Sequence, residues 1–264
     1  MTSQVDFPPT IRIGILVYEG FEPIDVWGFT EAFAISRFLG TDYQSPTPYP
    51  FEILFISNEV RPAGKSSAVP APVKSQNGPR VAPDMFREDA LKESFDLFMI
   101  PGGSTAPLLD KKKPKAVEAL VDWVKAMDKR VKITTSVCTG AAVLAYAGVL
   151  DGKPAATNHE AFAWVTQFGP RVLWDNVSRW IDAGDYVTSA GVSAGTDMAF
   201  HLVSRLAGRA VAEAAAKQAE YDWHRNPQEP IFYPQQATVP TSLNPGSADV
   251  PSASGSATRP LPKK

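Results

Sequence analysis

The chain has 264 residues, 44% of them hydrophobic, and 26 basic against 28 acidic side chains give a formal net charge of −2. That length supports one sizeable core in one or two domains, and the balanced charge offers no field to draw in nucleic acid or an anionic membrane. No run of about 18 apolar residues argues for a membrane span, and the single cysteine, Cys138, cannot form an intramolecular disulfide and fits a reducing, cytoplasmic setting.

Residues 1–10 lack the basic region and apolar core of a secretory signal and read as an N-terminal extension. The apolar run 11-IRIGILVY-18 has strand length, the turn 19-EGFEP-23 follows, and helical sequence extends from Ile24 to Phe38. A second strand is expected at 51-FEILFIS-57. Residues 58–86 are rich in Pro, Ser, Ala and Gly and read as a loop or hairpin excursion. The stretch 95-FDLFMIPGG-103 is a strand running into a Pro-Gly-Gly turn. In 114-PKAVEALVDWVKAMDK-129, Val117, Leu120, Val121 and Val124 recur at helical spacing on one face. The proline-broken basic run 111-KKKPK-115 before it reads as a solvated turn.

The strand 131-VKITTSV-137 leads into Cys138 and the helix-like 139-TGAAVLAYAG-148. A short strand or loop and a helix follow in 155-AATNHEAFAWVTQFG-169. The alternation in 171-RVLWDNVSRWIDAGDYVTSAG-191, with its Gly-Asp turn, predicts a hairpin. A final helix is expected from Ala194 to Trp223. Apolar strands alternating with amphipathic helices predict an α/β fold, with a largely parallel sheet covered on both faces. One domain over residues 11–225 accounts for these elements. From residue 226 to 264 the chain is Pro, Ser and Ala rich with few large apolar side chains, a composition that predicts disorder.

In an open parallel sheet, ligands sit beyond the carboxyl ends of the strands. Three such ends carry distinctive residues: Glu19 to Asp25, Pro101-Gly102-Gly103, and Cys138-Thr139-Gly140. Cys138 is expected at a sharp strand-to-helix turn, where the helix N-terminus lowers a thiol pKa. Position alone leaves a buried structural cysteine equally open. Gly102 and Gly103 allow backbone N–H groups to approach a ligand closely, and with the Thr139 N–H they would form an oxyanion-hole-like pair beside the sulfur.

The patterns 99-MIPGG-103, 136-SVCTGAAVLAYAGVLDGKPAATNH-159 and 188-TSAGVSAGTDMAFHLVSRLAG-208 resemble the DJ-1/PfpI superfamily, nearest to its isocyanide hydratase-like branch. The resemblance runs from about Ile11 to Tyr221. It implies a flavodoxin-like three-layer sandwich and a homodimer. It also implies Cys138 as nucleophile, Asp25 as its acidic partner, and Thr139 with Gly103 as backbone donors. Cys-Thr-Gly stands where the protease-like branch has Cys-His-Gly, so the resemblance implies hydration of a small-molecule isocyanide to a formamide rather than peptidase chemistry. Chemistry on reactive carbonyls or small amides, and a non-catalytic ligand or redox sensor, are the alternatives.

Other candidates read more plainly. Glu19 and Glu22 are solvated loop carboxylates, and without the resemblance Asp25 itself reads as a helix cap or surface charge. Trp27 either lines a pocket or packs in the core. His159 either faces the cleft or bonds locally, His201 packs in the last helix, and His224 lies near the tail. The segment 191-GVSAG-195 matches the serine-hydrolase pattern, but the resemblance makes it a turn into the last helix. No pair of His, Cys or carboxylates has metal-ligand spacing, so neither a metal nor another cofactor is expected.

Overall fold

Seven strands hydrogen-bond into the central sheet of the computed structural model, which describes residues 7–41, 48–65 and 68–229. In chain order the elements begin β1 (Ile11–Val17), α1 (Pro23–Ala34), β2 (Phe51–Ser57), β3 (Val73–Lys74), β4 (Arg80–Val81), β5 (Met85–Phe86), α2 (Arg87–Ala90) and β6 (Leu97–Ile100). They continue with α3 (Pro114–Asp128), β7 (Ile133–Val137), α4 (Ala141–Tyr146), β8 (Pro154–Ala156), α5 (Phe162–Val165), β9 (Leu173–Asp175), β10 (Trp180–Asp182), β11 (Tyr186–Ser189), α6 (Ser193–Ala207) and α7 (Arg209–Gln218).

The sheet order is β10-β11-β7-β6-β1-β2-β5. Every neighbouring pair is parallel except β10 with β11, which form a hairpin at the edge; of the hairpin expected over 171–191, only this second part forms, and β9 pairs parallel with β8 in a separate two-stranded sheet. This is the flavodoxin-like α/β architecture. Strands β1, β6 and β7 are buried runs because helices cover both faces. On one face α6 packs against α1 and α7. On the other, Trp123 of α3 meets Phe98 of β6 edge to face at 5.2 Å, and Thr134 of β7 donates to Asp128 of α3 at 2.8 Å.

Two expectations change. The final helix is two helices, because Gly208 takes φ 98, which breaks the run between α6 and α7. The excursion over 58–86 contains a hairpin, as the sequence allowed, with β3 and β4 paired antiparallel, but its end is not outside the fold: β5 extends the central sheet beside β2. Most of the expected C-terminal tail, and the N-terminal residues 1–6, lie outside the described residues. No helix among the described residues is long and apolar enough to cross a membrane.

Candidate active site

The carboxyl ends of β1, β6 and β7 bring their following turns together, as the parallel order requires. Phe21, after β1, forms an isolated bridge with Gly103, after β6. The Glu22 N–H donates to the Gly102 carbonyl at 2.9 Å. These contacts seat the first turn of α1 on the glycine turn and aim Asp25 inward.

Cys138 follows β7 in a left-handed conformation, φ 59, uncommon for a residue with a Cβ. Such strain persists where surrounding bonds hold it. Here the Cys138 N–H donates to the Ala190 carbonyl at 3.0 Å, and the Thr157 hydroxyl donates to the Cys138 carbonyl at 2.9 Å. Both backbone polar groups of the cysteine are thus fixed by segments beyond β7. The residue is buried, with 6% of its surface exposed.

Asp25 is fully buried, and its Oδ2 accepts the Gly102 N–H at 2.7 Å. Burial pushes its carboxyl up to about 8, reinforced by the nearby Glu22 charge and opposed by the Gly102 N–H and the adjacent Cys138 thiol. Its position in the first turn of a helix favours the anion, but desolvation outweighs that. Oδ1 is buried without a hydrogen-bond partner among the described residues, so the carboxyl has one oxygen held and one left for a proton or a reactant.

The thiol also titrates high, against the expectation that a helix N-terminus would lower it. Burial first, then the neighbouring Asp25 and Glu22 charges, push it up to about 12, while the Thr139 N–H and the Asn158 side chain favour the thiolate. The helix behind it is short: a three-residue 3-10 turn, Cys138–Gly140, and then the six residues of α4. Cys138 and Asp25 therefore behave as a coupled acid pair.

Gly102 sits at the junction of the site. A Cβ there would lie 2.7 Å from the Thr139 nitrogen, 2.8 Å from Asp25 Oδ2 and 2.8 Å from the Cys138 Cβ. Gly102→Ala should force these groups apart and lower turnover at least about 100-fold, because angstrom-scale misplacement of reacting groups has effects of that size. Steady-state kinetics beside a folding check by circular dichroism reads this.

The glycine amides are not aimed at open space as a joint oxyanion hole would require. The Gly102 N–H is engaged by Asp25, and the Gly103 N–H points at the Thr139 hydroxyl at 3.2 Å. Of the three expected donors, the Thr139 N–H is the one that faces the sulfur. Trp27 lies on the outer side of α1, 38% exposed, edge to face with Phe55 of β2 at 5.6 Å. In the sheet order β2 is three strands from β7, so Trp27 is not brought to the thiol. His159 lies beside Asp175 with a buried Nε2 that has no partner among the described residues.

Two residues near the thiol, Tyr18 and Asn158, escape sequence reasoning, and a third, Glu22, is not the solvated loop carboxylate expected. Tyr18 is buried and shares its hydroxyl proton between the Pro101 and Gly102 carbonyls, at 2.9 and 2.7 Å, which pins the glycine turn. Burial and the Asp25, Cys138 and Glu22 charges raise its pKa well above the ordinary phenol value. Glu22 is half-buried at the α1 cap, and its charge reaches Asp25 and Cys138. Asn158 stands beside the sulfur, where the adjacent His159 was the candidate. Only the place of Tyr18 at the end of an apolar strand could have marked it.

Glu19 accepts the Lys74 N–H at 2.9 Å, away from the thiol. His201 meets Asp182 at 2.6 Å, and His224 meets Glu229 at 3.1 Å. Ser193 is the exposed first residue of α6. No cluster of three or more metal-ligating side chains occurs among the described residues.

The profile of the DJ-1/PfpI family matches residues 12–205. Isonitrile hydratase of Pseudomonas putida is 32% identical over 151 residues, covering 57% of this chain and 61% of that protein. The HTH-type transcriptional regulator CdhR of Pseudomonas aeruginosa is 33% identical over 153 residues, 58% of this chain and 43% of the regulator. The chain thus spans less than two thirds of either relative. A crystal structure of a THiJ/PfpI family protein from Pseudomonas syringae superposes with TM-score 0.63 at 23% identity, covering 84% of this chain and 83% of that one.

Proposed function

Because the chain belongs to the DJ-1/PfpI family, we propose that it is a cysteine-dependent hydratase that converts an isocyanide to an N-substituted formamide. The observation that carries this is the strained Cys138, φ 59, held against a buried Asp25 whose carboxyl is pushed up to about 8. The 32% identity to isonitrile hydratase supports the substrate class, and Thr139 in place of an adjacent imidazole supports hydration over peptidase chemistry.

Loss of the first proton, from Asp25, leaves one proton on the pair, and its transfer from the Cys138 thiol to the carboxylate creates the reactive form, in which a thiolate faces a protonated Asp25. The sulfur attacks the terminal isocyanide carbon, and the Asp25 proton passes to that carbon, leaving a thioimidate. The carboxylate then takes a proton from water as the oxygen adds to the same carbon, and returns that proton to nitrogen. When the carbonyl forms, the hydroxyl proton goes back to Asp25, the carbon–sulfur bond breaks, and its electron pair returns to sulfur. The Thr139 N–H stabilises the thiolate at the start and at the end. Water and substrate close the cycle. A homodimer and a cytoplasmic location belong to the same proposal, and light scattering of the purified chain reads the former.

The test offers an alkyl isocyanide and, in parallel, methylglyoxal to the wild type and to Cys138→Ala. The expected result is formamide from the wild type, lowered at least about 1,000-fold in the variant. Formamide from Cys138→Ala at the wild-type rate would remove the nucleophile. Turnover of methylglyoxal alone would replace hydration with reactive-carbonyl chemistry.

A further inference from the structure

We propose that Asn158 is a catalytic residue whose side-chain amide N–H holds the Cys138 sulfur as a thiolate, both before attack and on its departure from the product. The inference rests on Cys138 as the nucleophile, not on the identity of the substrate.

The amide is oriented by its surroundings. Asn158 Oδ1 accepts the Ala161 N–H at 2.9 Å, which fixes which end of the side chain faces which way. The Nδ2 end is left on the opposite side, packed over Gly191, where a Cβ would stand 2.7 Å from it. Both flanks of that position are tied to the cysteine. Thr157, next to Asn158, donates to the Cys138 carbonyl at 2.9 Å, and Ala190, next to Gly191, accepts the Cys138 N–H at 3.0 Å. Nδ2 therefore lies between the two segments that bracket Cys138, and its effect on the thiol is to favour the charged form.

The site needs such a donor. The other groups around the sulfur are the Asp25 and Glu22 carboxyls, which oppose a thiolate, the Thr139 N–H, which favours it, and the Tyr18 hydroxyl, whose proton is committed to the Pro101 and Gly102 carbonyls. With the Gly102 and Gly103 amides engaged elsewhere, Asn158 and Thr139 are the donors that favour the thiolate among the described residues. During product release the carbon–sulfur bond breaks and its electron pair settles on sulfur. A neutral amide donor stabilises that charge without offering a proton, so it favours expulsion while leaving proton transfer to Asp25.

Asn158→Asp gives a clean test. A carboxylate keeps the acceptor for the Ala161 N–H, and with it the local turn, but replaces the donor facing sulfur with a negative oxygen. Asn158→Ala removes both. Because Cys138 is the one cysteine of the chain, alkylation by iodoacetamide, followed by intact mass across a pH series, reports its thiolate alone. The expected result is alkylation at least about 10-fold slower for Asn158→Asp at neutral pH, with its rate profile displaced to higher pH and an unchanged thermal midpoint. Asn158→Ala should be displaced in the same direction by less. Should both variants alkylate at the wild-type rate with the wild-type profile, Asn158 has no hold on the sulfur and the proposal falls. This readout needs no substrate, so its failure and a failure to hydrate isocyanides are distinguishable.

Discussion

Asp25→Asn should lose turnover and gain stability at alkaline pH. The asparagine keeps an oxygen for the Gly102 N–H, which is 2.7 Å from Oδ2 in the wild type, so the turn is retained. What disappears is the exchangeable proton, and loss of a positioned acid–base group lowers kcat about 100- to 10,000-fold. The pH profile should change with it. Wild-type kcat/KM should rise as the pair loses its first proton near 8 and hold until the thiol titrates near 12. In the variant the rise near 8 is absent.

Stability moves the opposite way. The Asp25 carboxyl is raised in the folded state, so the native protein retains a proton that the unfolded chain releases near the ordinary value of 3.8. The resulting stabilisation is complete below that value and is lost as pH climbs through the folded value near 8. Ionising the buried carboxyl therefore costs the wild type on the order of several kcal/mol by pH 9, at about 1.4 kcal/mol for each tenfold change in proton affinity. Asp25→Asn escapes this and should unfold at higher urea than wild type at pH 9, with the difference shrinking toward pH 4. A variant less stable than wild type at pH 9 would mean that Asp25 is held by favourable contacts rather than confined by burial.

The parts of the site legible in sequence are those that follow directly from a strand end. Cys138 and Gly102 follow strand runs, so the parallel order alone brings their turns together, and Asp25 follows because its helix starts at Pro23, just after the first strand. Asn158 was illegible for a topological reason. It sits 20 positions after Cys138 and returns to it through β8, whose Ala156 N–H is fixed by the Thr188 hydroxyl at 2.8 Å. A local pattern does not encode that return. The amides of Gly102 and Gly103 do not meet a ligand as expected, because a glycine pair shows accessibility in sequence but not which acceptor arrives first. The break at Gly208 was hidden by apolar spacing that continues through it, with Val211, Ala212, Ala215 and Ala216 of α7 all buried. Periodicity sees a face, whereas one positive φ redirects the axis. The thiol expectation failed on magnitude: a short helix offers a weak field, and burial beside two carboxyls is stronger.

Arg179→Met should destabilise the chain by about 3–5 kcal/mol, through a pair that also reaches the cysteine. Arg179 and Asp197 are both buried, and the guanidinium bonds Asp197 Oδ2 through Nε, at 3.1 Å, and through Nη2. Oδ1 of the same aspartate accepts the Tyr221 hydroxyl and the His224 N–H, each at 3.0 Å, and its backbone carbonyl accepts the Trp223 indole N–H at 3.1 Å. Asp197 thus clamps the segment after α7 against α6. Burial raises its pKa in spite of Arg179, Tyr221 and the His224 N–H, so desolvation exceeds what those partners return. Removing the arginine leaves a buried carboxylate with neutral donors alone. Asp197→Asn, which keeps an acceptor for Tyr221, should compensate in part, so the double variant should lose less than the two single losses combined. A double-variant loss equal to the sum of the two single losses in urea unfolding would show that the pair is not coupled. The link to function is backbone: the Arg179 carbonyl accepts the Ala190 N–H at 2.7 Å, and the Ala190 carbonyl accepts the Cys138 N–H at 3.0 Å. Slackening that chain removes one of the two bonds that hold Cys138 in its left-handed conformation. Arg179→Met should therefore lower turnover beyond the unfolded fraction, measurable as a reduced kcat at temperatures where the variant remains fully folded.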